Sequence, residues 1–114
     1  MENEIFASLA RSTGDLAGVF EYDGKAGYFY LYRTKGIGAA KVIDALHVVS
    51  GHIDFARNDV TIQWDDSETK VALSIKNAIW AYFDSISGQK FGGDYEVGEG
   101  PNIPETIRFT KFPH

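Results

Sequence analysis

The stretch that most restricts the fold runs from Val60 to Asp84. Val60, Ile62 and Trp64 alternate with Thr61 and Gln63; after a polar "DDSE", Val71, Leu73 and Ile75 alternate with Ala72 and Ser74. A period of two marks a strand with one buried face. "AIWAYFD" follows after only Lys76-Asn77, and Asn tolerates the left-handed backbone that a tight reversal needs. Three strands joined this closely run antiparallel, because a parallel return needs a long crossover. The chain is therefore expected to be mainly β, as a single antiparallel meander-like sheet or a small sandwich. A short N-terminal helix is expected beside it, which makes α+β the alternative class. Residues 2–12, "ENEIFASLARS", supply that helix: Ile5, Phe6 and Leu9 can share a face, and Glu2 and Glu4 suit its positive end.

"LAGVFEYDGKAGYFYLYR" reads as a hairpin turning at Asp23-Gly24. Alternation along its second arm puts Phe29 and Leu31 on the core side. Tyr28, Tyr30 and Tyr32 then form a stripe on the opposite face. Such a stripe either packs under another layer or faces a partner, since Tyr favours strands for packing reasons alone. The segment 35–51, "KGIGAAKVIDALHVVSG", is ambiguous: Val42, Leu46 and Val49 have helical spacing, while β-branched residues at both ends favour a strand over 42–48. Residues 85–104 hold five of the twelve glycines and two of the three prolines, which predicts a long irregular loop. Ile107 and Phe109 are expected on the core side of a last strand. Phe29, Leu31, Ile62, Trp64, Leu73, Ile75 and Phe83 are expected to supply much of the core.

A chain of 114 residues has room for one core, so residues 1–114 are read as a single domain. Hydrophobic residues at 44% and charged residues at 24% are ordinary for a folded soluble domain. The absence of cysteine excludes disulfides and thiolate chemistry and is compatible with the cytosol. The acidic N-terminus lacks a basic leader region, and no apolar run approaches a bilayer span, so a cytoplasmic location without membrane insertion is expected. Eleven basic residues against sixteen acidic ones give a net charge of −5, which disfavours nucleic-acid binding and suits a basic protein partner.

No motif names a reaction. "GIGAAK" lacks the third glycine of a dinucleotide loop and the Gly-Lys-Ser/Thr of a phosphate loop, so it reads as a connection. "DALHVVSGHID" gathers Asp44, His47, His52 and Asp54, residue types that bind metal or transfer protons. On a strand, however, Asp44 and His47 point to opposite faces, and a joint site with His52 needs a bend at Gly51. Hydrogen-bonded or exposed histidines are the simpler account. "WDDSE" lacks the ligand series of a calcium loop and reads as solvated hairpin charge. No cofactor, metal site or catalytic residue is assigned.

"FEYDGKAGYFYLYR", "VIDALHV" and "IQWDDSETKVALSIKNAIWAYFD" resemble the matching segments of a small bacterial domain-of-unknown-function family, over most of residues 20–84. The resemblance rests on the words G-Y-F-Y and D-A-L-H, with Tyr22 standing where that pattern has an acid. It implies a strand at 42–48 and carries no established activity. Three functions are thus weighed. The first is a non-enzymatic protein-binding module, immunity-type or accessory, meeting a basic partner through Tyr28, Tyr30, Tyr32, Asp94, Glu96 and Glu99. The second is a small-molecule or metal-binding domain or hydrolase with a pocket built on His47, His52 and Asp54. The third is a homo-oligomeric structural protein associating through a sheet face or edge.

Overall fold

The computed structural model describes residues 4–35 and 41–95. Among these residues eight strands form two four-stranded antiparallel sheets, each a meander in chain order. The first sheet holds β1 (Ile5–Ala10), β2 (Leu16–Tyr22), β3 (Ala26–Arg33) and β4 (Lys41–Ser50). The second holds β5 (Val60–Trp64), β6 (Lys70–Ile75), β7 (Ala78–Asp84) and β8 (Lys90–Gly92). The sheets face each other as a sandwich, with β1 over β5, β2 over β6, and β4 over β7 and β8. Among the described residues the one helical element is a 3-10 turn at Arg57–Asp59, and no helix is long and apolar enough to cross a membrane.

The expected N-terminal helix is a strand. Ile5 and Ala7 point into the sandwich and are buried, and Phe6 between them points out and is 59% exposed. Ile5 and Leu9 share a side on either period, so Phe6 is the residue that distinguishes the two. A helix this short is marginal in water by itself. Pairing with β2, from Ile5 opposite Tyr22 to Ala10 opposite Ala17, satisfies the same backbone and buries Ile5 and Ala7, leaving Phe6 and Leu9 exposed.

The hairpins follow their turn chemistry. Asp23 accepts the Lys25 and Ala26 amides through Oδ1, and Gly24 takes a φ of 98°. Lys76 and Asn77 both have positive φ, as a two-residue hairpin of matching twist requires. At "WDDSE" the reading as solvated charge is corrected at one residue. Asp65 is buried, and its Oδ1 accepts the Thr69 and Lys70 amides, organising the β5–β6 turn from within.

Residues 42–48 belong to a strand, and β4 carries two bulges. Gly27 pairs with Val49 but Tyr28 with His47, and Leu31 pairs with Asp44 but Tyr32 with Val42, which leaves Val48 and Ile43 as extra residues. The irregular loop expected at 85–104 is likewise corrected over its described part. Asp84 Oδ1 accepts the Ile86 and Ser87 amides, Gly88 turns the chain with a φ of 80°, and β8 returns along β7. Chain past Gly92 then crosses to the first sheet, where Tyr95 makes a parallel bridge to Val49. The connection at 36–40, Glu96, Glu99, the rest of the 85–104 segment and the expected strand at Ile107 and Phe109 lie outside the described residues.

All seven expected core residues are buried between the sheets, with Phe29 stacked on Phe83 at 5.2 Å between centroids. Phe20, Tyr22, Val48, Phe55 and Tyr95 are among the residues that pack with them.

Candidate functional site

The two outer faces of the sandwich differ. On the second sheet, Ala72, Ser74 and Tyr82 point away from the core and are nevertheless buried. On the first sheet, Phe6, Val42 and Tyr28 point away from the core and are 59%, 46% and 39% exposed. Register arranges this open face in rows that cross the strands. One row reads Phe6, Glu21, Tyr28, His47; the next Ser8, Val19, Tyr30, Ala45; the third Ala10, Ala17, Tyr32, Val42. The tyrosine stripe thus runs down β3 on the outer face. Tyr28 and Tyr30 lie nearly parallel, 14° apart with centroids at 6.2 Å.

An open groove of about 500 Å³ runs along this face, with Tyr30, Tyr32, Val19, Val42, Phe6 and Glu21 among its walls. Apart from Glu21, the described residues of its lining carry no charge. Burial, the charge of Glu21 and that of Tyr28, together with a hydrogen bond to Glu21, push the Tyr30 phenol above the usual tyrosine range. It stays neutral and able to donate at physiological pH.

At the edge of the stripe, the His47 ring is tilted against Tyr28 with centroids 5.3 Å apart. Its Nδ1 lies 3.0 Å from Asp94 Oδ1 and its Nε2 lies 2.8 Å from Ser50 Oγ. Asp94, proposed from sequence as part of a partner surface, is therefore linked to the tyrosines through His47. The Asp94 amide also donates to the His47 carbonyl at 2.7 Å, and that backbone bond fixes the crossing from β8 to β4.

The four His and Asp residues of "DALHVVSGHID" are not brought together. Asp44 lies opposite Leu31 and pairs with Lys90 Nζ at 2.9 Å across the open end of the sandwich. Burial opposes its ionisation, but the Lys90 and Ala45 hydrogen bonds and the Lys90 charge together hold Asp44 below the usual carboxylate range. His52 and Asp54 are exposed in the connection before β5, and the Asp54 carbonyl accepts Lys76 Nζ at 3.2 Å. Among the described residues no group of three or more His, Cys, Asp or Glu could hold a metal ion.

The constellation that does form is Ser50–His47–Asp94, a hydroxyl, an imidazole and a carboxylate in the connectivity of a nucleophile, a base and its orienting acid. Its setting differs from that of working hydrolases. The Asp94 side chain is 89% exposed, and the three residues line neither the groove nor the smaller hollow at its Glu21 end.

Sequence reasoning placed the three tyrosines but missed Phe6, Val19, Glu21 and Val42 as their companions on the face. Phe6 was absorbed into a helix, and Val19 and Glu21 carry no motif of their own. Only the pairing register brings them beside Tyr28 and Tyr30.

A family model described as an uncharacterised protein conserved in bacteria (DUF2251) matches residues 1–92. The chain belongs to the DUF2251 family. No curated protein and no solved structure matches it. The DUF2251 span closes at Gly92, the last residue of β8, so it contains both sheets and the whole tyrosine face. Asp94 lies beyond it, and with it the acid of the Ser50–His47–Asp94 set.

Proposed function

We propose that this chain is a non-enzymatic protein-binding module of the cytoplasm, immunity-type or accessory, that meets a basic partner through the outer face of β1–β4. The observation that carries this reading is the contrast between the two outer faces: one buries its outward residues, the other leaves an aromatic and aliphatic groove open to solvent. Tyrosines offer contact area at low rotamer-entropy cost, and Tyr and aromatic anchors recur at protein interfaces. An open groove encloses little of a small ligand, whereas binding pockets for such ligands bury most of their surface. The net charge of −5 favours encounter with a cationic partner. The test is site-specific photo-crosslinking in the source bacterium, with benzoylphenylalanine in place of Tyr28 or of Thr61. The expected result is a defined adduct with a basic protein at position 28 and none at position 61 on the second sheet. Equal labelling at both positions, or adducts only with a second copy of the chain, removes the proposal.

A second reading, hydrolysis, rests on Ser50–His47–Asp94. In it Ser50 Oγ attacks an acyl carbon while His47 Nε2 takes the hydroxyl proton and passes it to the departing alcohol or amine; water then cleaves the acyl–Ser50 bond, releasing the acid and restoring the serine. A fluorophosphonate probe decides it: labelling abolished by both Ser50→Ala and His47→Ala supports acyl transfer, and an unlabelled parent chain ends it.

A further inference from the structure

The row Phe6–Glu21–Tyr28 places a carboxylate between two aromatic side chains on three adjacent strands. With strands about 4.8 Å apart, the Cβ atoms of Phe6 and Tyr28 stand about 10 Å apart, with Glu21 midway. That spacing leaves room for one flat group between the two aromatic side chains, beside the Glu21 carboxylate. Glu21 is exposed beside the Tyr30 phenol, whose ionisation its charge opposes, and among the described residues no Lys or Arg pairs with it. An ionised carboxylate offers about four lone-pair positions, so acceptor capacity remains.

The ground around this seat is negative at one end and apolar at the other. A hollow of about 460 Å³ shares Phe6 and Glu21 with the groove and adds Glu4 and Asp23. Away from it the groove continues past Val19 and Tyr30 to Tyr32 and Val42. Among the described residues no basic side chain lines either concavity. The occupant that complements both ends carries a cation beside apolar side chains.

Resting on the protein-binding reading above, we propose that this seat takes an arginine side chain from an extended segment of the partner. The guanidinium lies between the Phe6 and Tyr28 rings and donates to the Glu21 carboxylate. Arginine suits it better than lysine because a planar guanidinium stacks on aromatic faces while donating two parallel hydrogen bonds to a carboxylate. A residue two positions along an extended segment reaches the next row, so an apolar side chain there meets Val19 and Tyr30.

The probe is the capped peptide acetyl-GRTVTVG-amide, titrated into the full chain and followed by backbone amide shifts. A matched peptide with citrulline for arginine keeps the shape and removes the charge. Shifts centred on Phe6, Glu21 and Tyr28 are expected, with the citrulline peptide bound about fivefold more weakly or worse. Glu21→Gln should bring the two peptides to equal affinity, and Glu21→Lys should favour citrulline. Both variants change an exposed side chain, and the dispersion of their spectra reports their folding directly. Equal binding of the two peptides to the parent chain overturns the inference, as does a preference that survives Glu21→Gln or an absence of shifts at millimolar peptide. Concentration-dependent shifts at these residues without peptide would assign the face to a second copy and overturn it too. If crosslinking at position 28 captures a partner whose binding ignores Glu21→Gln, the arginine seat fails while the protein-binding face stands.

Discussion

Trp64 ends β5 with its ring buried and its indole N–H donating to the Leu9 carbonyl of β1 at 3.0 Å. Over the ring lies the Arg11 guanidinium, 5.8 Å from the centroid. Arg11 in turn holds both Asp15 carboxylate oxygens at 2.8 Å and the Glu68 carbonyl at 2.9 Å. One side chain thus joins the edges of both sheets to two turns. Removing it should cost far more than removing its hydrogen bond. Trp64→Ala leaves a large cavity and is expected to cost about 3–5 kcal/mol. Trp64→Phe keeps most of the packing and loses one donor, for about 1–2 kcal/mol. Urea denaturation of both variants checks the ordering; equal losses would show that the hydrogen bond, rather than the ring, holds this corner.

The element on which the sandwich depends for closure is the short passage from β8 to β4. Gly93 lies there at a φ of 106°, and a Cβ at this position would stand 2.6 Å from the His47 carbonyl oxygen. Only glycine lets the chain approach β4 closely enough for the Asp94 and Tyr95 amides to reach the His47 and Val48 carbonyls. Beyond it, Tyr95 is buried edge-on to Trp80 at 4.9 Å and donates its hydroxyl to the Trp80 carbonyl. Gly93→Ala is expected to destabilise the chain by more than about 1 kcal/mol, in contrast to the gain that Gly→Ala gives where the backbone allows it. Hydrogen exchange should quicken first at the Asp94 and Tyr95 amides and last in β5–β6; uniform acceleration would mean that the crossing has no separate identity. The same contrast explains what was legible in the sequence. Strands β5 and β6 were readable because Val60, Ile62 and Trp64, then Val71, Leu73 and Ile75, fall on one side without a break. In β4 the bulges at Ile43 and Val48 shift the period, which gives Val42, Leu46 and Val49 their helical spacing. The glycines of 85–95 suggested looseness, yet Gly88, Gly92 and Gly93 hold defined positive-φ positions in a turn and a crossing. The tyrosine stripe was visible in one strand, whereas its rows are a property of pairing between strands, which no single segment carries.

Across the whole molecule, carboxylates do much of the work of fixing turns and edges, and this sets how the fold answers to acid. The Arg11 hydrogen bonds, with that of Thr13, hold Asp15 well below the usual carboxylate range. Asp23 is lowered by the Ala26 and Lys25 amides. At Asp84 burial acts the other way, but the Ser87 and Ile86 amides and the Lys70 charge leave it lowered; Asp44 is lowered against burial through Lys90. A folded-state pKa below the unfolded one means that the unfolded chain binds more protons in acid. The stability these groups contribute is therefore present above about pH 4 and is lost as pH falls through their folded values. Four such sites in two sheets should make the urea midpoint nearly level from neutral to mildly acid pH and then fall steeply below about pH 4. Asp15→Asn provides the internal control, because it removes one of these proton-linked contributions while leaving the others. The variant should be less stable than the parent at neutral pH, and the gap should narrow toward pH 2 as the unfolded parent takes up the Asp15 proton. High salt should narrow the neutral gap, since the pair with Arg11 is partly solvent-exposed. A gap that keeps its size from neutral to acid pH would show that the Asp15 turn is held by shape, with its charge contributing nothing.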